Sequence, residues 1–86
     1  MKSREAALRS KRFEADEKTR KVADIEYMIR EFEQMAADLD RQIQVEEDRT
    51  GVKDSSHFAY STFAKAAAQR RNNLRASVVD LQAQLA

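Results

Sequence analysis

No cysteine, no proline and no tryptophan occur in this sequence, and its one glycine is Gly51. Each absence excludes something. Without cysteine there is no disulfide framework and no zinc-finger ligand set, so a chain of 86 residues is not stapled covalently or by thiolate-bound metal. A multi-stranded fold needs several turns, and turns draw on glycine, proline and asparagine. That supply is missing, and a sheet protein is excluded with it. One glycine cannot build a phosphate-binding loop. One histidine, His57, and no cysteine leave no Cys/His nucleophilic pair and no histidine-rich metal site. The expectation is a non-enzyme that carries no cofactor and no metal.

Long apolar runs are missing too. No stretch approaches the roughly 18 residues of a membrane span. Lys2 and Arg4 follow Met1 with no apolar region behind them, so nothing reads as a signal peptide. These features predict a cytoplasmic protein, peripheral to a membrane at most.

What is present is helix-forming. Charged residues make up 36% of the chain, and alanine, glutamate, lysine, arginine, glutamine and leucine dominate, the composition of a long helix or coiled coil. Leu8, Ala15, Val22, Ile29, Ala36 and Ile43 recur every seven residues, and Ile25, Phe32 and Leu39 stand four residues before the last three of them. This is the a/d seam of a left-handed coiled coil. Met28 and Met35 flank it and are expected to widen the apolar stripe. Towards the N-terminus the seam weakens, because Lys11 and Lys18 occupy its d positions.

The stretch around Gly51 is the only break. Gly51 suits a left-handed C-terminal cap, and the next helix begins either at a cap formed by Asp54, Ser55 or Ser56, or after Ser61, which is also a good cap. Beyond it the seam returns as Ala64, Ala67, Leu74, Val78, Leu81 and Leu85, interrupted by Arg71. The fold class expected is all-α, a two-helix antiparallel coiled-coil hairpin forming a single domain over residues 1–86. Helix 1 is placed at about 2–48, the turn at about 49–55 and helix 2 at about 56–86.

Charge supports that pairing. Residues 1–21 carry eight basic and four acidic groups, residues 22–50 three and nine, and residues 51–86 five and two. Folding at Gly51 lays a basic helix along the acidic half of the first, which disfavours wrong registers. With the fold centred on Gly51, Ala86 falls opposite about residue 15 to 20. The N-terminal segment then lacks an intrachain partner, and a lone helix of that length is marginal in water. Either a second subunit covers it, making a homo-oligomer through the arm, or helix 2 is a shortened version of a longer one.

Two surfaces are candidates for function. His57, Phe58, Tyr60 and Phe63 fall within seven residues just after the turn. A core one side chain thick cannot hide three aromatics, and exposed aromatics mark partner sites. Closing the end of the core against Ile43 and Val45 is the structural role open to the same residues. The second candidate is the basic arm with Arg4, Arg9 and Arg12. Acidic residues interrupt its cations and aromatics do not interleave with them, so no nucleic-acid partner is expected. Glu46-Glu47-Asp48 reads as a solvated helix end.

The opening Met-Lys-Ser-Arg, the run Lys11 to Lys18, Met35-Ala36-Ala37-Asp38-Leu39-Asp40-Arg41, His57-Phe58-Ala59-Tyr60 and Arg70-Arg71-Asn72-Asn73-Leu74 resemble the flagellar export protein FliJ family of alphaproteobacterial type. The likeness runs along nearly the whole chain, and the His-Phe-Ala-Tyr segment is its least generic part. It implies an antiparallel coiled coil of the flagellar type III protein export apparatus, located in the cytoplasm and at the cytoplasmic face of the flagellar basal body. The implied partners are the flagellar export ATPase, the cytoplasmic domain of the export gate and the export chaperones. Family members carry a second helix that continues past the equivalent of Ala86, so this chain departs from the pattern there. A structural or oligomerisation coiled coil without a secretion role is the competing expectation.

Overall fold

Two antiparallel helices, α1 over Lys2–Thr50 and α2 over Thr62–Leu85, make up the computed structural model, which describes residues 2–86. α1 persists for 49 residues because nothing in it breaks a helix. It ends at a left-handed cap: Gly51 has φ of 74°, and its N–H donates to the Glu47 carbonyl at 2.9 Å. That bond satisfies a carbonyl the helix would otherwise leave unpaired. The Val52 N–H then donates to the Thr50 hydroxyl at 3.3 Å.

The connection is longer than the turn expected from sequence, and α2 starts at Thr62 rather than near residue 56. Asp54 is the cause. Its carboxylate accepts from the Ser56 N–H at 2.9 Å and the Ser56 hydroxyl at 2.7 Å, closing a local turn instead of capping a helix. These bonds also hold the Asp54 carboxyl below the usual carboxylate range. Two further turns follow, with His57 N–H donating to the Asp54 carbonyl and Tyr60 N–H to the His57 carbonyl. Ser61 takes the cap, its hydroxyl accepting from the Ala64 N–H at 3.2 Å.

This longer connection shifts the register. Tyr60 reaches Glu47, and Asp40 faces Arg71 and Arg75. With both helices rising 1.5 Å per residue, Ala86 lies beside about residue 28 of α1, not beside residue 15 to 20. The unpaired arm is correspondingly longer. From residue 3 to residue 24 every residue except Glu17 is exposed, and Ile25, Ile29 and Phe32 are half-buried where α2 ends.

The core is one layer. Ala36, Leu39 and Ile43 of α1 and Ala64, Ala67, Val78 and Leu81 of α2 are buried, Ala64 completely. Leu39, Ile43, Ala64 and Ala67 form its centre, with Tyr60, Ala68 and Leu74 packed against them. Alanines at 36, 64 and 67 let the two backbones approach closely, which suits antiparallel helices at the usual 8–10 Å separation. The seam positions beyond the reach of α2, Leu8 and Val22, are exposed as the register requires, and Leu85, in the last turn of α2, is exposed against the seam expectation. Met28 and Met35 do not join the core and also remain exposed.

Arg71, which interrupts the heptads, is only 23% exposed along its side chain because Asp40 receives it. Arg71 Nη1 donates to Asp40 Oδ1 at 2.9 Å and Arg75 Nη2 to Oδ2 at 2.5 Å. One carboxylate held by two guanidinium groups fixes the register more firmly than a single surface pair.

Two outcomes check this account. Leu39→Ala lowers unfolding free energy by about 2–4 kcal/mol, and Val45→Ala, at an exposed position, by less than about 0.5 kcal/mol in denaturant titrations. At Gly51 an added Cβ meets nothing within 4 Å, so Gly51→Ala costs only the left-handed backbone term of about 1–2 kcal/mol, and Gly51→Asn costs less.

Candidate functional surfaces

The tip of the hairpin is built from the first turn of α2, the last turns of α1 and the connection between them. Of the three aromatics expected to act together, Phe58 is 95% exposed. It stacks on His57 with ring centroids 4.6 Å apart and planes 25° from parallel. The His57 ring is in turn held by the backbone, Nδ1 accepting from the Ala59 N–H at 3.0 Å. The connection thus presents a flat aromatic pair to solvent on a locally hydrogen-bonded support. Phe63, one residue into α2, is 55% exposed and lies with Val45, Gln42 and Arg41 along an open groove of about 410 Å³.

Tyr60 behaves differently. It is half-buried against the core, and its hydroxyl donates to Glu47 Oε2 at 2.6 Å. The hydrogen bond to Glu47 raises the Tyr60 pKa above its ordinary value of 10.0, with desolvation and the Glu47 charge adding and Arg71 opposing. Tyr60 therefore ties the start of α2 to the end of α1, while Phe58 and Phe63 offer apolar surface outward.

The neighbouring acidic run is divided among three local partners. Glu46 is bonded by Arg49, Glu47 by Tyr60, and Asp48 sits 3.4 Å from Lys53. The hydrogen bond from Arg49, with its charge and a bond from Ser61, lowers the Glu46 pKa despite partial desolvation. Among the described residues no three carboxylate or histidine side chains converge on a metal-binding position.

The second candidate lies at the far end of a molecule 75 Å long. Arg4, Arg9 and Arg12 are exposed on the arm. Arg9 and Arg12 border a shallow depression with Glu5 and Leu8, and Arg4 lies outside it. Arg12 is about 57 Å along α1 from Thr50 at 1.5 Å per residue, so arm and tip are separate surfaces.

Two features escape a reading of the sequence. The Asp40 clamp is one, although Arg71 in a heptad seam signals that a carboxylate must meet it. The other is a groove of about 380 Å³ between the helices, floored by Ala36, Ala37, Val78 and Val79 and edged by Glu33, Asp40 and Arg75. Among the described residues no helix is long and apolar enough to cross a membrane. The chain matches no family model, no curated protein and no solved structure.

With Tyr27 replaced by phenylalanine, absorbance titration of the remaining tyrosine gives a midpoint above 10.0. A group whose pKa is raised by folding stabilises the fold below its unfolded pKa and loses that contribution as pH rises through the folded value. Hairpin stability at alkaline pH accordingly falls less steeply in Tyr60→Phe than in the parent.

Proposed function

We propose that the hairpin is a non-catalytic binding module that holds protein partners at its tip, and that it serves as an adaptor in the flagellar type III export apparatus. The observation that carries the binding role is the outward display of Phe58, at 95% exposure. Its ring is stacked on a backbone-anchored histidine rather than turned into the core. Exposed, pre-positioned aromatics provide contact area at low entropic cost and recur at the centres of interfaces. Phe63 of α2 and Val45 of α1 add a second exposed apolar surface along their shared groove.

The resemblance to the FliJ family, least generic in the segment His57 to Tyr60, supports the narrower assignment to export. On that reading the partners are the cytoplasmic domain of the export gate, the export ATPase and substrate chaperones, and the protein works in the cytoplasm at the base of the flagellum. The exposed seam at Leu8 and Val22 favours a second reading, an oligomerisation coiled coil without a secretion role.

Tyr60 braces the fold, so the variant that tests the tip is Phe58→Ala with Phe63→Ala. Circular dichroism shows unchanged helix content, and affinity for the gate's cytoplasmic domain falls at least about tenfold, the scale of a lost hot spot. Normal binding and motility by a folded double variant would remove the tip from the interface. Loss of binding on neutralising Arg4, Arg9 and Arg12 alone would move the functional surface to the arm.

A further inference from the structure

The arm leaves two complementary features uncovered on one helix. Its basic end, residues 1–21, carries a net charge of +4. Further along, Asp24, Glu26, Glu31 and Glu33 form no ion pair among the described residues, because the register sends the cations of α2 elsewhere. Arg71 and Arg75 serve Asp40, and residues 76–86, which run beside Glu31 and Glu33 and end short of Asp24 and Glu26, contain no basic residue. Among the described residues the charge match expected between the helices is thus realised only at Asp40 and left open towards the arm.

An apolar row runs beside these charges, exposed at Leu8 and Val22 and passing under the edge of α2 at Ile29 and Ala36. A seven-residue repeat drifts by about 20° per heptad on a straight helix, so Leu8, Ala15, Val22, Ile29 and Ala36 stay on one side of α1. Shallow depressions follow that side, one at Leu8 with Arg9 and Arg12, one at Val22 with Ala23, and the inter-helix groove at Ala36 and Ala37. The row is symmetric about Val22. Reversed on itself, it sets Leu8 against Ala36 and Ala15 against Ile29, a large residue against an alanine each time, and Val22 against Val22 at the centre.

We propose that the arm pairs with the arm of a second copy of this chain, antiparallel and with its two-fold axis beside Val22. Leu8 of each copy then enters the groove floored by Ala36, Ala37, Val78 and Val79 of the other. Arg12 comes alongside Glu33 of the second copy, and Glu5 alongside the Asp40–Arg75 clamp. A single isologous contact fills both grooves and covers both arms. It spans residues 8–36, about 42 Å of helix. Other antiparallel helices could fill the groove, but the basic end and the unneutralised acidic stretch occur on the same helix. Their spacing lets one symmetric contact match each twice. The inference is independent of the export reading, since it concerns the arm and not the tip.

Sedimentation equilibrium of the 86-residue chain over about 1–100 μM tests it. The mass rises with concentration from 9.9 kDa towards twice that value, and Leu8→Glu raises the dissociation constant at least tenfold. Arg12→Glu and Glu33→Lys each weaken the dimer, and the two together in one chain restore it. Both positions are exposed, so circular dichroism separates loss of pairing from loss of fold. The chain lacks cysteine, so V22C alone is joined to its own copy by a short thiol cross-linker while L8C alone is not. A chain monomeric throughout the range overturns the proposal, and so does L8C cross-linking to itself as readily as V22C.

Discussion

Two helices that meet only each other bury one stripe apiece, and every other feature of this molecule follows from that constraint. Among the described residues no large side chain is fully buried, and the one hydrophobic residue with no exposure is Ala64. Close approach therefore replaces bulk in the core. Alanines at 36, 64 and 67 bring the backbones together, and Leu39, Ile43, Val78 and Leu81 supply most of the buried apolar surface. A thin core of this kind specifies register weakly, because neighbouring alanines offer similar fits. The Asp40 clamp compensates: its carboxylate accepts from Arg71 and Arg75, four residues apart on one face of α2, and only one axial alignment satisfies both.

The connection is stabilised within itself, not by the core. Gly51 closes α1, Asp54 organises the following turn, His57 accepts from the backbone, and Ser61 opens α2. Such a segment satisfies its polar groups at short range and has no need to fold its aromatics inward. Only Tyr60 is drawn towards the core, and its hydroxyl is paired with Glu47. The exposure of Phe58 is a consequence of that local sufficiency.

Much of the fold is legible in the sequence because helical periodicity and the scarcity of breakers are local signals. The seam residues, the cap at Gly51 and the antiparallel topology can be read directly. Register is not local: α2 starts after Ser61, the second of the two starts open from the sequence, and not near residue 56. Asp54 and Ser56 satisfy each other in a turn as readily as they cap a helix, and sequence alone gives no preference between those uses. Choosing the cap moves α2 by six residues, shortens the unpaired arm and hides the charge left uncompensated at Asp24 to Glu33. The candidate surfaces show the same division. Phe58, Tyr60 and Phe63 are adjacent in sequence, yet whether each ring turns in or out depends on the path of the connection and on the placement of Glu47.

Length then separates the molecule into two ends that work on different physical terms. At the tip the helices are paired, the backbone is fixed at its caps, and apolar rings stand on a pre-ordered support, so a partner there pays little ordering entropy. On the arm α1 has no helix beside it, and a helix with no packed face is marginal in water. In the proposed pairing, covering the arm would also hold it helical, so association and helix stabilisation would be one coupled event. The overlap of α2 with residues 28 to 47 joins these ends rigidly, because the Asp40 clamp opposes sliding of one helix along the other. A contact made at the arm can consequently set the direction in which the aromatic tip points without altering its local structure.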